Sequence, residues 1–414
     1  MKADRPPEVA AGTRGLALYL AGRFLIEAAA LAQATVTGWL IYRLYGAPLA
    51  LGMIGLVQFV PMALLTLPAG EWCDRLSPRR LLIAGLALQA VCALLFAWLA
   101  CAPVPGLGLF YALLFASGAA RAVIEPAGQA LLPGLVNAAV LPRAIARSSA
   151  VWQIAVIAGP ALGGAACVLG APFAYATCGL ALLASIAATV ALRAHRVAPV
   201  ERATLKTRLA RVREGLRFVR SQPVVLGAIS LDLFAVLLGG ASALLPVYAR
   251  DILHTDSFGL GLLRSAPAAG ACLMALLQSH RPPRRTIGLQ LFAAVAAFGL
   301  ATLVFAFSTS CALSLAALAL LGASDMVSVN IRTTLVQLAT PEAMRGRVAA
   351  VNMLFIGASS ELGAFESGVA AALFGTVAAV AIGGAGTLAV AAVWMRLFPA
   401  LRKADRLPTL QSVN

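Results

Sequence analysis

Apolar residues run along this chain in long stretches, broken at intervals by short clusters of glycine, proline and charge. A helix needs about 20 consecutive apolar residues to cross a bilayer. The runs predict twelve such helices, at roughly 15–43, 48–70, 81–101, 107–132, 149–170, 173–192, 223–248, 257–279, 287–308, 311–338, 349–373 and 376–398. One long stretch breaks the pattern. Leu192 to Pro223 is polar, carries nine basic residues against Glu201 and Glu214, and divides the chain near its middle. The pattern predicts an N-terminal six-helix half (1–192), a basic and partly helical linker (193–222) and a C-terminal six-helix half (223–414). The expected fold class is an all-α membrane protein with twelve transmembrane helices in two pseudo-symmetric halves.

The halves repeat weakly. LVQFVP at 56–61 aligns with LLRSAP at 262–267 at an offset of 206, which sets Gln58 opposite Arg264 and Pro61 opposite Pro267. GAAR at 118–121 aligns with GASD at 322–325 at an offset of 204. Duplicated six-helix halves around a site near the bilayer midplane are a design of secondary transporters. Cytoplasmic connections carry an excess of Lys and Arg. On the twelve-span map 26 of the 32 basic residues fall on one side, only Arg43 and Arg250 on the other, and four inside spans. Both termini are therefore expected in the cytoplasm. Trp39, Trp72, Trp98, Trp152 and Trp394 fall near span ends, where an indole keeps its ring in the interface and its N–H hydrated. The linker's charge is best explained as a solvated loop drawn to anionic lipid.

Composition narrows the classes further. The chain is 61% hydrophobic and 12% charged, against about 25% charged in a soluble protein, and its mean hydropathy is +0.90; a water-soluble globule is excluded. The net charge of +16 would suit a nucleic-acid partner only on a water-exposed domain, and no stretch is long and polar enough to form one. Seven cysteines scattered through apolar runs lack the spacing of disulfide or zinc frameworks and read as small core residues, so no metal is expected. The first apolar run is too long for a signal peptide and lacks a small-residue cleavage pattern, so the first helix is expected to direct its own insertion. None of the three lysines follows a glycine, so GxxxxGK[ST] is absent, as is HExxH, which speaks against ATP-driven pumping by this chain alone and against zinc hydrolysis. No enzymatic activity is expected.

Several motifs carry a family resemblance. After the second span comes GEWCDRLSPRR, with Gly70, Asp74, Arg75, Arg79 and Arg80. It resembles the major facilitator superfamily loop GxLADRxGRK, with Trp72 and Cys73 for Leu and Ala, Ser77 for the second Gly, and Pro78 inserted before the basic pair. A glycine permits close helix approach, an acid can face a helix N-terminus and arginines can bridge halves; the resemblance implies a latch for the outward-facing state. The second-half equivalent, SHRPPRR at 279–285, has His280 at the Asp74 position and is degenerate. GPALGG in the fifth span (Gly159, Pro160, Gly163, Gly164) resembles the GPxxGG motif of facilitator-type exporters and proton antiporters; small residues there permit tight packing and a pivot. EPAGQALLPGLV (125–136), EGLRFVRSQPV (214–224) and RTTLVQLATPEAMRGRVAAVNMLF (332–355) are similar to the facilitator branch containing the enterobactin exporter and macrolide-efflux proteins. Gly128 departs from an arginine common at that point in such relatives, although its repeat mate Arg332 is charged.

Ionisable residues inside spans cost roughly 2.5–3.5 kcal/mol each on insertion scales and usually face partners or a wet cavity. Arg23 and Glu27 in the first span, and Arg121 and Glu125 in the fourth, each stand at i, i+4 on one helix face. Their approximate repeat mates are Asp232 in the seventh span and Asp325 in the tenth. Spans one, four, seven and ten line the central cavity of the resembled fold, so these six residues are expected to converge there. With Arg264 of the eighth span the tally is three arginines to four carboxylates, leaving one carboxylate free to titrate. Glu361 and Glu366 in the eleventh span point about 140° apart around the helix; Glu361, near mid-depth, is a further candidate for a cationic group or proton.

These readings converge on a secondary transporter of the bacterial cytoplasmic membrane. It is expected to export a small amphipathic solute, siderophore-like or drug-like, by proton antiport with alternating access. The proton gradient would supply the energy with no cofactor, and the expected partners are the solute and membrane lipid, with no nucleic acid and no second copy of the chain. Two alternatives stay open: a lipid or lysolipid flippase with a lateral opening between spans, and a transporter-like sensor that binds without turnover.

Overall fold

Hydrocarbon thickness dictates element length in this chain, and the elements are helices of that length. A computed structural model describes residues 7–102, 106–137, 139–192, 205–280 and 286–403. Among these residues twelve helices are long and apolar enough to cross a membrane. Spans 1 to 6 are Arg14–Tyr45, Pro48–Thr66, Pro78–Leu99, Leu107–Gly134, Leu141–Val168 and Ala171–Ala191. Spans 7 to 12 are Pro223–Ile252, Ser257–His280, Ile287–Ala306, Cys311–Ala339, Met344–Phe374 and Thr376–Leu397. Each matches one predicted apolar run to within a few residues, apart from Leu141, which starts span 5 earlier by about two turns.

The spans are apolar on every side because two different apolar surroundings must be met. Along span 3, Leu82, Leu86, Ala90 and Ala93 are buried at helical spacing, while Leu88, Val91, Leu95 and Trp98 on the other face are exposed, Trp98 by 72%. A row of exposed leucines suits acyl chains, not water. Trp394 departs from the hydrated position expected for it: its indole N–H donates to Ser230 Oγ at 2.9 Å and its ring packs against Phe234 and Phe398.

The chain groups into two compact units, 1–40 with 57–205 and 41–56 with 206–414. Residues 41–56, the end of span 1 and the start of span 2, group with the second unit. A Cβ on Gly368 would lie 2.7 Å from the Gly52 Cα, and the Tyr42 hydroxyl donates to Asp251. In the first unit span 3 packs on spans 4 and 6, and span 5 on span 6; in the second, span 9 packs on spans 10 and 12, and span 11 on span 12. The two segments aligned by the repeat touch each other in both units. A Cβ at Gly118 would collide with the carbonyl of Gln58, and one at Gly322 with the carbonyl of Pro267. Glycine is what lets span 4 lie on span 2 and span 10 on span 8.

Span 7 is not one helix. It is α-helical over Pro223–Leu238, breaks at Gly239 and Gly240, and continues through a 3-10 turn (Ala241–Leu244) to a π turn (Tyr248–Ile252). The break gives room to span 11: a Cβ on Gly240 would meet the Gly363 carbonyl at 2.5 Å. The part of the linker within the described residues is a helix, Leu205–Ser221. Its Val212, Leu216 and Val219 pack on Val225, Val336, Val348 and Val351, Glu214 pairs with Arg347 at 2.7 Å, and Arg213, Arg217 and Arg220 stay exposed.

Gly322→Ala is predicted to lower stability by about 1–3 kcal/mol through overpacking against Pro267. Gly346→Ala, where a Cβ meets nothing within 4 Å, is predicted to gain up to about 1 kcal/mol of helix propensity. Thermal unfolding in detergent reads both, and equal effects would contradict the packing account.

Candidate functional site

In the first unit the four predicted ionisable residues meet. The Arg23 guanidinium lies 3.7 Å from the Glu27 carboxylate. Glu27 is only 5% exposed, its carboxyl is in hydrogen-bonding contact with Glu125, and Arg121 adds its charge to the same cluster. The cluster therefore brings two guanidiniums and two carboxyl groups together. Arg23, Glu27 and Glu125 border a small cleft, lined also by Tyr19, Leu82 and Gly128.

The second unit repeats the plan with different side chains. Asp232 and Arg332, 6% and 3% exposed, form a hydrogen-bonded ion pair between spans 7 and 10. Asp325 lies within electrostatic reach of both. Asp232 and Asp325 line a small cleft, together with Phe298, Ser324 and Ser328. Spans 7, 9 and 10 are the repeat mates of spans 1, 3 and 4, so the two clefts are counterparts. Arg332 belongs in the charge tally, which becomes four arginines to four carboxylates and leaves no surplus negative charge. Arg264 and Glu361 line neither cleft. Glu361 lies against span 2, where a Cβ on Gly55 would come within 2.5 Å of its carboxylate.

The fifth-span motif packs against the helix that carries Arg23 and Glu27. A Cβ on Gly163 would sit 2.5 Å from the Ala32 Cα, and one on Gly159 would sit 3.0 Å from the Ala28 carbonyl oxygen; Pro160 and Gly164 are buried beside them. In the loop after span 2, Gly70 is helical, Arg75 pairs with Glu71 at 2.5 Å and Arg79 donates to the Val190 carbonyl. Both contacts lie inside the first unit. Ser77 precedes Pro78 at the start of span 3, and Arg80 is exposed. The Asp74 side chain lies outside the described residues, as do residues 281–285 of its degenerate counterpart.

Sequence reasoning missed a cluster at the sparsely charged end of the spans. There Tyr42 donates to Asp251, and Arg250 donates to the carbonyls of Tyr42 at 3.2 Å and Arg43 at 3.4 Å. The Arg250 guanidinium lies 5.7 Å from the Tyr42 ring centroid. The available signal was that Arg43 and Arg250 are the two basic residues on that side of the map.

Twelve spans in two duplicated units, each with ionisable side chains around an internal cleft, define a polytopic membrane protein of the transporter class. The chain belongs to the Major Facilitator Superfamily, whose family model matches residues 19–364. It is 29% identical over 351 residues to the multidrug efflux pump Tap of Mycolicibacterium fortuitum, covering 80% of this chain and 82% of that protein. It is 26% identical over 365 residues to the enterobactin exporter EntS of Citrobacter koseri, covering 87% and 85%. The fold is shared with a bacterial homologue of the human lysosomal transporter Spinster in an inward-facing, unoccupied conformation, at a TM-score of 0.71, 13% identity and 97% coverage of both chains.

Removing one partner of a buried ion pair leaves the other uncompensated and costs about 3–5 kcal/mol, whereas replacing both is often neutral. Asp232→Leu is therefore predicted to destabilise the chain by that amount, and Asp232→Leu with Arg332→Met to recover most of it. Denaturant unfolding in detergent measures the difference; additive losses would mean that the two do not act as a pair.

Proposed function

We propose that this transporter exports a small amphipathic solute, siderophore-like or drug-like, across the bacterial cytoplasmic membrane in exchange for protons. The single observation that carries the reading is the buried contact between Glu27 and Glu125. A proton held there, beside Arg23 and Arg121, sets the charge of a cluster inside an apolar bundle. Its loss leaves two carboxylates facing two guanidiniums, which draws the ions together. The two protonation states thus favour different packings of spans 1 and 4, and a ligand or proton that prefers one packing shifts the population toward it. Asp325, bordering the counterpart cleft, is the second-unit carboxyl available to a proton.

The outward direction is supported by the two relatives, an efflux pump and an exporter, and by the seating of Gly159 and Gly163 on span 1, next to the proton-holding cluster. In this reading access alternates between the two sides of the membrane and both termini face the cytoplasm, the side of the basic connections. Arg264 and Glu361 extend the pathway, and the loop with Gly70, Asp74, Arg75, Arg79 and Arg80 latches one state. The proton gradient is the energy source and no cofactor takes part. A single copy works with solute and lipid, and nucleic acid has no role.

Efflux of a fluorescent amphipathic dye from cells making the protein tests this. Glu125→Gln and Asp325→Asn are predicted to reduce protonophore-sensitive efflux by about tenfold or more, within the range that proton-transfer groups contribute to rates. Glu342→Gln, on an exposed pair with Arg345, is predicted to leave it unchanged. Full protonophore-sensitive efflux in both acid variants would refute the proposal.

A further inference from the structure

The two clefts differ at one position in a way that says what the first is open to. In the second unit the repeat places an arginine, Arg332, whose guanidinium closes on Asp232. In the first unit the same repeat position, 204 residues earlier, is Gly128, and a Cβ built there meets nothing within 4 Å. Glu27 stands where the repeat puts Asp232, give or take one residue. The first unit thus keeps the acid of the pair and lacks its guanidinium.

The space left by that side chain is furnished for a cation. Glu27 and Glu125 border it. Tyr19, whose hydroxyl donates to the Gly128 carbonyl at 3.1 Å, brings an aromatic ring to the cleft, a surface on which a guanidinium stacks favourably. Leu82 and Ile124 supply apolar wall for a hydrocarbon tail. The arginines nearby do not already fill the role: Arg23 reaches Glu27 at 3.7 Å with its Nε left without a partner, and in the exporter reading the two carboxyls hold a proton between them. A cation entering at position 128 can take that proton's place and leave the total charge of the cluster unchanged.

We propose that the cleft of the first unit binds the guanidinium or ammonium head of an amphipathic solute, seated in the place that Arg332 occupies in the second. The inference rests on the exporter reading and names the charge of the solute's polar end.

Titration calorimetry on the full chain in lipid nanodiscs tests it, with benzylguanidinium as the probe and benzylurea as its neutral isostere. The charged probe is predicted to bind at least about tenfold more tightly, as a charge-assisted contact requires, and to release a proton into weakly buffered solution. Gly128→Arg is predicted to reduce probe binding by about tenfold or more while raising the unfolding temperature, because its own guanidinium fills the site. Glu27→Gln is predicted to reduce it similarly. Equal affinity for the two probes, no binding of either, or undiminished binding in a folded Gly128→Arg would overturn the proposal; should that variant not fold, the isostere comparison and Glu27→Gln decide. PH-driven dye flux in vesicles separates the two claims. Charge-selective binding without flux refutes the exporter reading alone, and flux without charge-selective binding refutes the subsite alone.

Discussion

An ion inside hydrocarbon must have an opposite charge, a proton or water beside it, and that constraint organises the interior of this protein. Water is available only where the bundle leaves a cleft, so the ionisable side chains of spans 1, 4, 7 and 10 gather around two of them. In the second unit the demand is met by an ion pair: Asp232 and Arg332 satisfy each other almost out of reach of solvent. In the first, on the reading proposed above, it is met by a proton between Glu27 and Glu125, with Arg23 and Arg121 close by. A salt bridge of that burial is a fixed joint, whereas a shared proton can leave. In the proposed function, the unit that lacks the fixed joint is the one that changes state.

Close helix contact is the condition for this arrangement. Spans meet through backbone at Gly118 and Gly322, and span 5 lies on span 1 through Gly159 and Gly163. Where side chains are this small, helix backbones approach each other closely. The glycines that build each unit from the same repeat thus also leave span 1, which bears Arg23 and Glu27, against a smooth partner. Duplication supplied two copies of one scaffold, and divergence at position 128 against 332 gave them different chemistry.

Much of the fold was legible because bilayer thickness converts directly into run length, and the twelve apolar runs became twelve helices. The repeat was legible for a related reason, since Gly118 and Gly322, which align, are positions whose contacts with the segments of Pro61 and Pro267 forbid a larger side chain. The break in span 7 was hidden because a broken helix within hydrocarbon stays apolar throughout, and Gly239–Gly240 look like any small pair. Arg23 with Glu27, and Arg121 with Glu125, were readable from i, i+4 spacing. The bond of Arg332 to Asp232 was not, since the partners stand 100 residues apart and no local period links them. Tyr42 and Asp251 were invisible for the same reason, and the grouping of 41–56 with the second unit depends on contacts of that kind.

The claim on which the account turns is that Glu27 and Glu125 share a proton in the resting protein. Infrared difference spectroscopy of the carboxyl stretch, comparing the full chain with Glu27→Gln in the same lipid, reads this without any substrate or transport assay. The account predicts a protonated-carboxyl band in the unaltered chain that is lost in the variant. A spectrum in which that band is absent from the start, or persists undiminished after the substitution, would contradict it.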